Sequence, residues 1–510
     1  MSDPACLEFP LDSYPGMNRF VLDWLRGDAR FLARGEGKSP SSTRSKRPPP
    51  PDERAALAEA LIESNKRWGS FVRDDVERWA RGESVALIAG QQAGFAGGPL
   101  YTLAKLATLL KMKRKLEAGG TPATVFFWLA TEDHDFSEVA TIKLPSRGKR
   151  QTDLVTLRAS RGFDSGQAVG GLPIPDELTR ELLAFCDGMA RPSWLREGIT
   201  FRDSFAELIA TLVPSGVVLV DALLPELRRA GAPLFTQIVA RWDDIQSAIA
   251  SRSRDLEAAG YAPQVISRAG EYTLLFRIGD DGTRELLPAP PQSIDAPERI
   301  STSALTRPLL QDFVIQPDVF VGGPSEVAYY AQIAPLHEML GLTIPRVALR
   351  AHALVAPKRI VRYYERFGID PRETFKSADD ILATHEPAGV AAVQDVTRDA
   401  QQQLHAAIEK IRALALPADH ALNRSIHRSI GHLDYHFRKL SERAVRGLVR
   451  KDHERHAALR ELVATFYPDR IVQDRCVSWF ALQCELGDQL LDRLVDCVEP
   501  DSAVCRIVSM

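Results

Sequence analysis

Two short apolar runs without polar alternation, Val85–Ala89 and Val125–Ala130, bracket a stretch whose apolar positions recur at helical spacing. Leu103, Leu106, Ala107 and Leu110 fall at i, i+3, i+4 and i+7, one face of a helix. An unalternating apolar run is what a parallel strand covered on both faces requires. The glycine-rich Gly90–Pro99 joins the first run to the helix, and Gly119-Gly120 ends it. The second run empties into Thr131-Glu132-Asp133-His134-Asp135-Phe136. The pattern predicts a βαβ unit whose polar residues gather at the carboxyl ends of its strands, where open α/β sheets place their ligands.

Before this unit, residues 1–34 read as a short helix packed on the first domain, Glu36–Pro51 as an exposed Pro/Arg-rich loop and Arg54–Trp79 as amphipathic helix. After it, Leu178–Phe185 is helical. Val217–Val220 is an apolar strand ending in Asp221, and Pro225–Ser251 is a long helical stretch. Tyr272–Ile278 followed by Gly279-Asp280-Asp281-Gly282 predicts an antiparallel hairpin inserted between βα units. The βα pattern resumes with strands at Phe313–Ile315 and Val319–Val321, a second Gly-Gly-Pro turn at Gly322-Gly323-Pro324, a helix over Ser325–Leu340 and a strand at Pro345–Leu349. Ile426, Ile430, Leu433, Phe437, Leu440 and Ala444 repeat at 4,3,4,3,4, a heptad pattern. With Leu404, Ile408 and Ile411 before Pro417, they predict an antiparallel helical hairpin able to pair with another subunit. Tyr467–Val495 is a last helical region.

A length of 510 residues suggests two to four structural units. Charged residues at 26% and hydrophobic ones at 45% describe a globular protein, and a net charge of −3 gives no pull toward nucleic acid or anionic membrane. No apolar run reaches the roughly 18 residues that span a bilayer. Asp3, Glu8 and Asp12 stand where a signal peptide needs a basic and then an apolar stretch, so a cytoplasmic location is expected. None of the six cysteines forms a C-x-x-C pair, and the four in the last 35 residues read as small buried hydrophobes.

Gly90–Pro99 is neither a Walker loop nor G-x-G-x-x-G. Its glycines would let backbone N–H groups approach an anion at the helix N-terminus, with amides from Gln91 and Gln92; a tight structural turn is the alternative. The cluster Glu132–Asp135 can bind a divalent ion, hold an ammonium, or orient His134 for phosphate contact or proton transfer. It can equally be a strand end with capping acids. Glu326, Tyr329 and Gln332 after the second turn face the same way, with Arg307, Arg346 and Arg350 as carboxylate or phosphate partners. His432 and His436, at i and i+4, have no third ligand at metal spacing.

The chain closely resembles the bacillithiol biosynthesis cysteine-adding enzymes. The resemblance is carried by Asn18-Arg19-Phe20-Val21, Gly90-Gln91-Gln92-Ala93-Gly94, Gly98-Pro99-Leu100-Tyr101, Glu132-Asp133-His134-Asp135-Phe136, Arg307-Pro308-Leu309-Leu310-Gln311-Asp312, Gly322–Tyr329, Tyr467-Pro468 and Leu490–Leu494. Phe95-Ala96-Gly97 and Ser325 depart from the family's pattern. The resemblance implies an α/β protein with a Rossmann-like parallel-sheet core like that of class I aminoacyl-tRNA synthetases, two inserted connecting segments and a dimerising α-helical coiled coil. On that basis 1–145 is the first half of the core with its N-terminal extension, and 146–205 is connecting insertion 1. Residues 206–255 continue the core, 256–305 form connecting insertion 2 (the β-hairpin) and 306–385 the second half of the core. The antiparallel coiled coil is 386–465, and 466–510 is a C-terminal helical segment.

The implied activity is a ligase joining L-cysteine to the amine of glucosaminyl-malate, with ATP or another nucleotide activating the carboxylate and a divalent metal left open. Gln91, Gly94 and His134 would surround the activated carboxyl or phosphate, and Asp133 and Asp135 would hold an amine or a metal ion. Glu326 and Tyr329 would face the second substrate, with Gly90, Gln92, Gly98, Tyr101, Gly322, Gly323, Gln332, Arg307 and Arg350 completing the pocket. The rival readings are a non-catalytic dimeric scaffold with a degenerate synthetase-like pocket, and a nucleotidyl transferase with another acceptor.

Overall fold

The computed structural model describes residues 6–33, 50–145, 154–158, 166–186, 191–266, 272–384, 389–415, 422–451 and 453–510. They form two compact units, one of residues 1–361 with 466–510 and one of residues 362–465. The predicted Glu36–Pro51 loop lies outside the described residues as far as 49; Pro51 itself is the first residue of a helix.

In the first unit, strand β1 (Cys6–Pro10) and helix α1 (Arg19–Leu25) precede α2 (Pro51–Arg67) and α3 (Arg73–Arg81). Then come β2 (Val85–Gln91), α4 (Leu100–Ala118), β3 (Ala123–Leu129) and the single turn α5 (Phe136–Val139). The first insertion holds β4 (Thr141–Pro145), β5 (Leu154–Arg158) and α6 (Asp176–Phe185). The core resumes with α7 (Phe201–Leu212) and β6 (Val217–Asp221). The long helical stretch after it is three helices, α8 (Pro225–Ala230), α9 (Ala232–Ala240) and α10 (Trp242–Ala258). The expected hairpin is present as β7 (Leu275–Ile278) and β8 (Arg284–Leu286), and β9 (Ile300–Thr302) makes it a three-stranded sheet ordered β8-β7-β9.

Next are α11 (Arg307–Val314), β10 (Val319–Gly322), α12 (Pro324–Leu340), β11 (Arg346–Leu349) and β12 (His352–Ala356). The strand expected at Phe313–Ile315 is instead the end of α11. Pro308 sits in its first turn, and all of Pro308–Val314 is buried, so the apolar run belongs to a helix enclosed on every side.

The main sheet runs β11-β10-β2-β3-β6, every neighbour pair parallel. Relative to chain order this is the doubly wound arrangement, and its order reverses between β2 and β10. The first half of α4 is buried nearly all round. It packs on β2 and β3 and also carries contacts to α18 (Gln473–Cys476), α20 (Leu490–Cys497) and β12. A second sheet, β1-β13-β12, is closed by β13 (Val504–Ser509), pairing antiparallel with β1 and parallel with β12. The tail also holds α19 (Trp479–Leu486).

The second unit holds α15 (Val390–Ala415) and α16 (Leu422–Lys451), packed together as the heptad pattern predicts. His405 Nε2 meets Asp434 Oδ1 at 2.8 Å between them. Ile426, Ile430, Leu433, Phe437 and Ala444 are half-buried, but Leu440 is 63% and Ile411 59% exposed. Pro417, read as the turn, lies outside the described residues. Among the described residues no helix is long and apolar enough to cross a membrane.

β6 is an edge strand, and α2 completes it with one side chain. Buried Asn65 donates to Leu219 O (2.8 Å) and Leu61 O (2.9 Å), and its Oδ1 accepts from Leu219 N (2.8 Å). An alanine there leaves both polar groups of Leu219 buried and unpaired, at about 1–3 kcal/mol each. Asn65→Ala is expected to lower the melting temperature by several degrees; a shift under about 1 °C would show that β6 does not need this partner.

Candidate active site at the switch point

The reversal of strand order brings the carboxyl ends of β2 and β10 side by side, and a cleft of about 750 Å³ opens there. This is the size of an ordinary small-molecule site. Gly90, Gln91, Gln92, Tyr101, Asp133, His134, Arg307, Gly323, Glu326, Tyr329 and Arg350 all line it. The sequence reading therefore converges on one place from five separate segments.

Lys105 is the part it missed. Its ammonium is buried, contacts Glu326 at 2.5 Å and donates to Gly90 O (2.6 Å) and Gln91 Oε1 (3.1 Å). Burial lowers its pKa. Glu326 also accepts from Gly323 N at 2.7 Å, its carboxylate reaching back from the first turn of α12 to the N-cap N–H. One cation thus joins the loop after β2 to the turn after β10. Its only local signal is the i, i+4 spacing from Tyr101.

The arginines are held from behind. Arg307 donates to Tyr329 Oη at 2.6 Å. Burial holds the Tyr329 phenol above its ordinary range, and burial with the Glu138 charge pushes Tyr101 up to about 12, so both stay neutral donors. Arg350 donates to Asp474 Oδ2 at 3.0 Å, and Tyr14 Oη donates to the other oxygen of the same carboxylate. Arg346 instead pairs with Asp501 at 2.6 Å and does not line the cleft.

The tip of β3 divides its labour. Glu132 is buried and structural, accepting from Ser301 Oγ (2.7 Å), Thr302 Oγ1 (2.8 Å) and Arg228 Nη2 (3.3 Å). Asp133 accepts from Gln92 Nε2 (2.8 Å) and from the N–H of His134 (2.7 Å). Burial raises the Asp133 pKa, but these hydrogen bonds outweigh it and hold the carboxyl below its usual value. Asp135 caps α5 through Ser137 Oγ (2.7 Å) and Glu138 N (3.2 Å) and does not line the cleft. Glu138 does, and burial raises its pKa. Among the described residues no group of three or more His, Cys, Asp and Glu side chains is placed to hold a metal ion.

The glycine loop differs from the anion cradle that its sequence suggests. The N–H of Gly94 bonds Gln92 O, that of Gly98 bonds Phe95 O, and that of Leu100 at the start of α4 bonds Val477 O. These three donors are spent on the fold. Ser478 Oγ on Ala96 O (3.1 Å) and Trp479 Nε1 on Gly97 O (2.7 Å) clamp the loop from the C-terminal segment. A Cβ on Gly97 would lie 2.2 Å from the Trp479 ring. Gly94 and Gly98 line a smaller cavity of about 250 Å³ that shares Gln91, Gln92, Tyr101, Glu138 and Arg475 with the main cleft. Gly322 lies behind the cleft against Phe320. Gln332 is fully buried, bonded to Ser253 and Val265. Arg284 and Arg475 line the cleft from segments far away in sequence, which no local pattern connects to it.

A doubly wound parallel sheet with a polar, cation-lined cleft at its switch point defines a Rossmann-like α/β protein, the class whose ligand sites lie at the strand ends. The N-terminal Rossmann-like domain of the bacillithiol biosynthesis BshC family matches residues 37–294 and 290–351, and that family's C-terminal coiled-coil domain matches 353–510. The chain belongs to the BshC family of bacillithiol biosynthesis. Proteins named "Putative cysteine ligase BshC" from Solibacter usitatus and Koribacter versatilis are 28% and 29% identical to it. The first match covers 90% of each chain, the second 99% of this chain and 100% of the relative. One from Salinibacter ruber is 26% identical over 99% of this chain and 95% of its own.

The two Gly-Gly-Pro turns are separable by backbone. Gly98 has φ +70°, where a side chain costs about 1–2 kcal/mol, whereas Gly323 has φ −75° and room for a methyl 3.4 Å from Glu326 Oε2. Gly98→Ala is expected to lower the melting temperature by roughly 1–3 °C and Gly323→Ala by less than about 1 °C. Equal losses in calorimetry would refute this division.

Proposed function

We propose that the cleft joins the carboxyl of L-cysteine to the amine of glucosaminyl-malate, forming the amide of bacillithiol. The observation that carries this is the pairing of opposite charges in one cleft. Arg307, Arg350 and Arg475 suit carboxylate or phosphate oxygens, while Asp133 and Glu138 suit an ammonium, and His134 lines the same cleft. Membership of the family and the cysteine-ligase name of its relatives support the same chemistry. Amide formation requires the amine nitrogen to reach a carboxyl carbon whose oxygen can leave, so positioning is the main task of the protein. A nucleoside triphosphate, when bound, would supply the leaving group, and Arg307, Arg350, Arg475 and His134 are the residues fitted to hold its phosphates. Gln91, at the edge of the glycine loop, adds a side-chain amide, while the N–H groups of Gly94, Gly98 and Leu100 are engaged within the fold.

The same proposal places the protein in the cytoplasm as a homodimer paired through the helical hairpin. Its support is the apolar surface that the hairpin leaves exposed, Ile411, Leu414 (82% exposed) and Leu440 among it. Ile430, Leu433 and Phe437 are already half-buried and would report on the hairpin itself.

Incubation with L-cysteine, glucosaminyl-malate and ATP should give a product of bacillithiol mass. Another adduct mass would indicate a nucleotidyl transferase, and no turnover a binding scaffold. His134→Ala is expected to fold normally and lose nearly all ligation. Activity within about threefold of wild type, under ~1 kcal/mol, would remove His134 from the chemistry. The double variant Ile411→Asp with Leu440→Asp is expected to be monomeric by light scattering. An unchanged mass would place the dimer contact elsewhere.

A further inference from the structure

His134 stands at the tip of β3 with two chemically opposite roles open to it, proton acceptor or hydrogen-bond donor. The geometry around it separates them. Arg284, on β8 of the inserted sheet, brings Nη1 to 2.9 Å from His134 Nδ1. A guanidinium can only donate, so Nδ1 must be the acceptor, and the ring proton of a neutral imidazole must then sit on Nε2. Arg284 is itself fixed on its remaining sides. Its Nε donates to Ser301 Oγ at 3.0 Å, its Nη2 donates to Thr302 O, and its guanidinium lies 3.8 Å from the Phe276 ring centroid.

Ser301 and Thr302 are in turn bonded to Glu132, two residues before His134. The arginine and the histidine are therefore indexed to one another through a single buried carboxylate. The other groups facing the imidazole are the Asp133 carboxylate, 3.7 Å from Nδ1, and the Phe276 ring at 6.1 Å. At 3.7 Å Asp133 Oδ1 is beyond hydrogen-bond distance of Nδ1, which leaves Arg284 as the group that decides the tautomer.

We propose that Arg284 is a positioning residue that fixes His134 as a neutral imidazole with its proton on Nε2. His134 then acts in the ligation as a hydrogen-bond donor to a carboxyl or phosphate oxygen, and takes no proton from the attacking amine. This rests on the ligation reading of the cleft. In the step it serves, the amine nitrogen forms the C–N bond, the C–O bond to the leaving group breaks, and the amine proton passes to solvent through the open cleft. The inserted sheet thereby contributes to the chemistry through an imidazole it does not itself carry.

Long-range ¹H–¹⁵N NMR of protein with ¹⁵N-labelled histidine tests the tautomer without any substrate, the His134 signals being those absent from the His134→Gln spectrum. Wild type should show Nδ1 unprotonated and Nε2 protonated, and Arg284→Met should lose that pure signature. A protonated Nδ1 in wild type overturns the proposal.

In the ligation assay, His134→Gln keeps a donor near the Nε2 position without a basic nitrogen. It should retain at least about ten times the activity of His134→Ala, because one such donor is commonly worth 10²–10³ in rate. Arg284→Met should lower kcat by on the order of 10–100-fold. Equal inactivity of the Gln and Ala variants would also overturn the proposal. Should Arg284→Met fail to fold, the wild-type spectrum and the His134→Gln comparison still decide. Absence of product from wild type would count against the ligation reading alone, since the spectrum stands apart from turnover.

Discussion

The cleft exists because a buried ammonium holds two loops together. β2 and β10 are neighbours in the sheet, but the chain leaves them in different directions, and nothing in a parallel ladder requires their following loops to meet. Lys105 makes them meet, with Gly90 O and Gln91 Oε1 on one side and Glu326 on the other. Taking a charge out of water costs several kcal/mol per ion unless every donor finds a partner. Here three acceptors surround it, and the carboxylate among them also caps α12. Removing either ion would leave the other buried and unpaired, so the pair fixes one arrangement of the cleft floor.

The walls come from much farther away. Arg350 is set by Asp474 and, through that carboxylate, by Tyr14, so residues from both ends of the chain orient one guanidinium. The second sheet shows the same economy, with β13 lying between β1 and β12. Arg284 reaches in from the inserted sheet, keyed by Glu132, Ser301 and Thr302. The cleft is therefore a junction of segments from along the whole chain around a Rossmann switch point, and the simplicity of the sheet is a poor guide to how its site is assembled.

What the sequence revealed follows from range. β2, β3, β6, β10 and β11 are short apolar runs next to turn residues, and local pattern found each of them. The site residues at their ends were legible for the same reason. Phe313–Ile315 was not, because an apolar run enclosed on all sides has no period to show whether it is helix or strand. β1, β12 and β13 were missed because β1 pairs with β13 across nearly the whole chain, and β12 with β13 across 153 residues (505 − 352). Lys105 looked like any helical lysine, and only the fold reveals that it points inward. The glycine loop misled in the opposite sense. Its composition suits an anion cradle, but the N–H groups of Gly94, Gly98 and Leu100 bond Gln92, Phe95 and a carbonyl 377 residues away (477 − 100). Neither Arg284 nor Arg475 has any neighbour in sequence that hints at His134.

The clamp on the glycine loop also sets an order of events at the ribosome. Gly97 and the Trp479 ring that closes over it are 382 residues apart. At roughly 5–20 residues per second, the nascent chain displays that loop for on the order of 20–75 s before the indole is synthesised. The parallel sheet can assemble during this interval from segments already made. A half-made chain can thus hold its parallel sheet while the cleft still lacks Arg475 and the Asp474 carboxylate that sets Arg350.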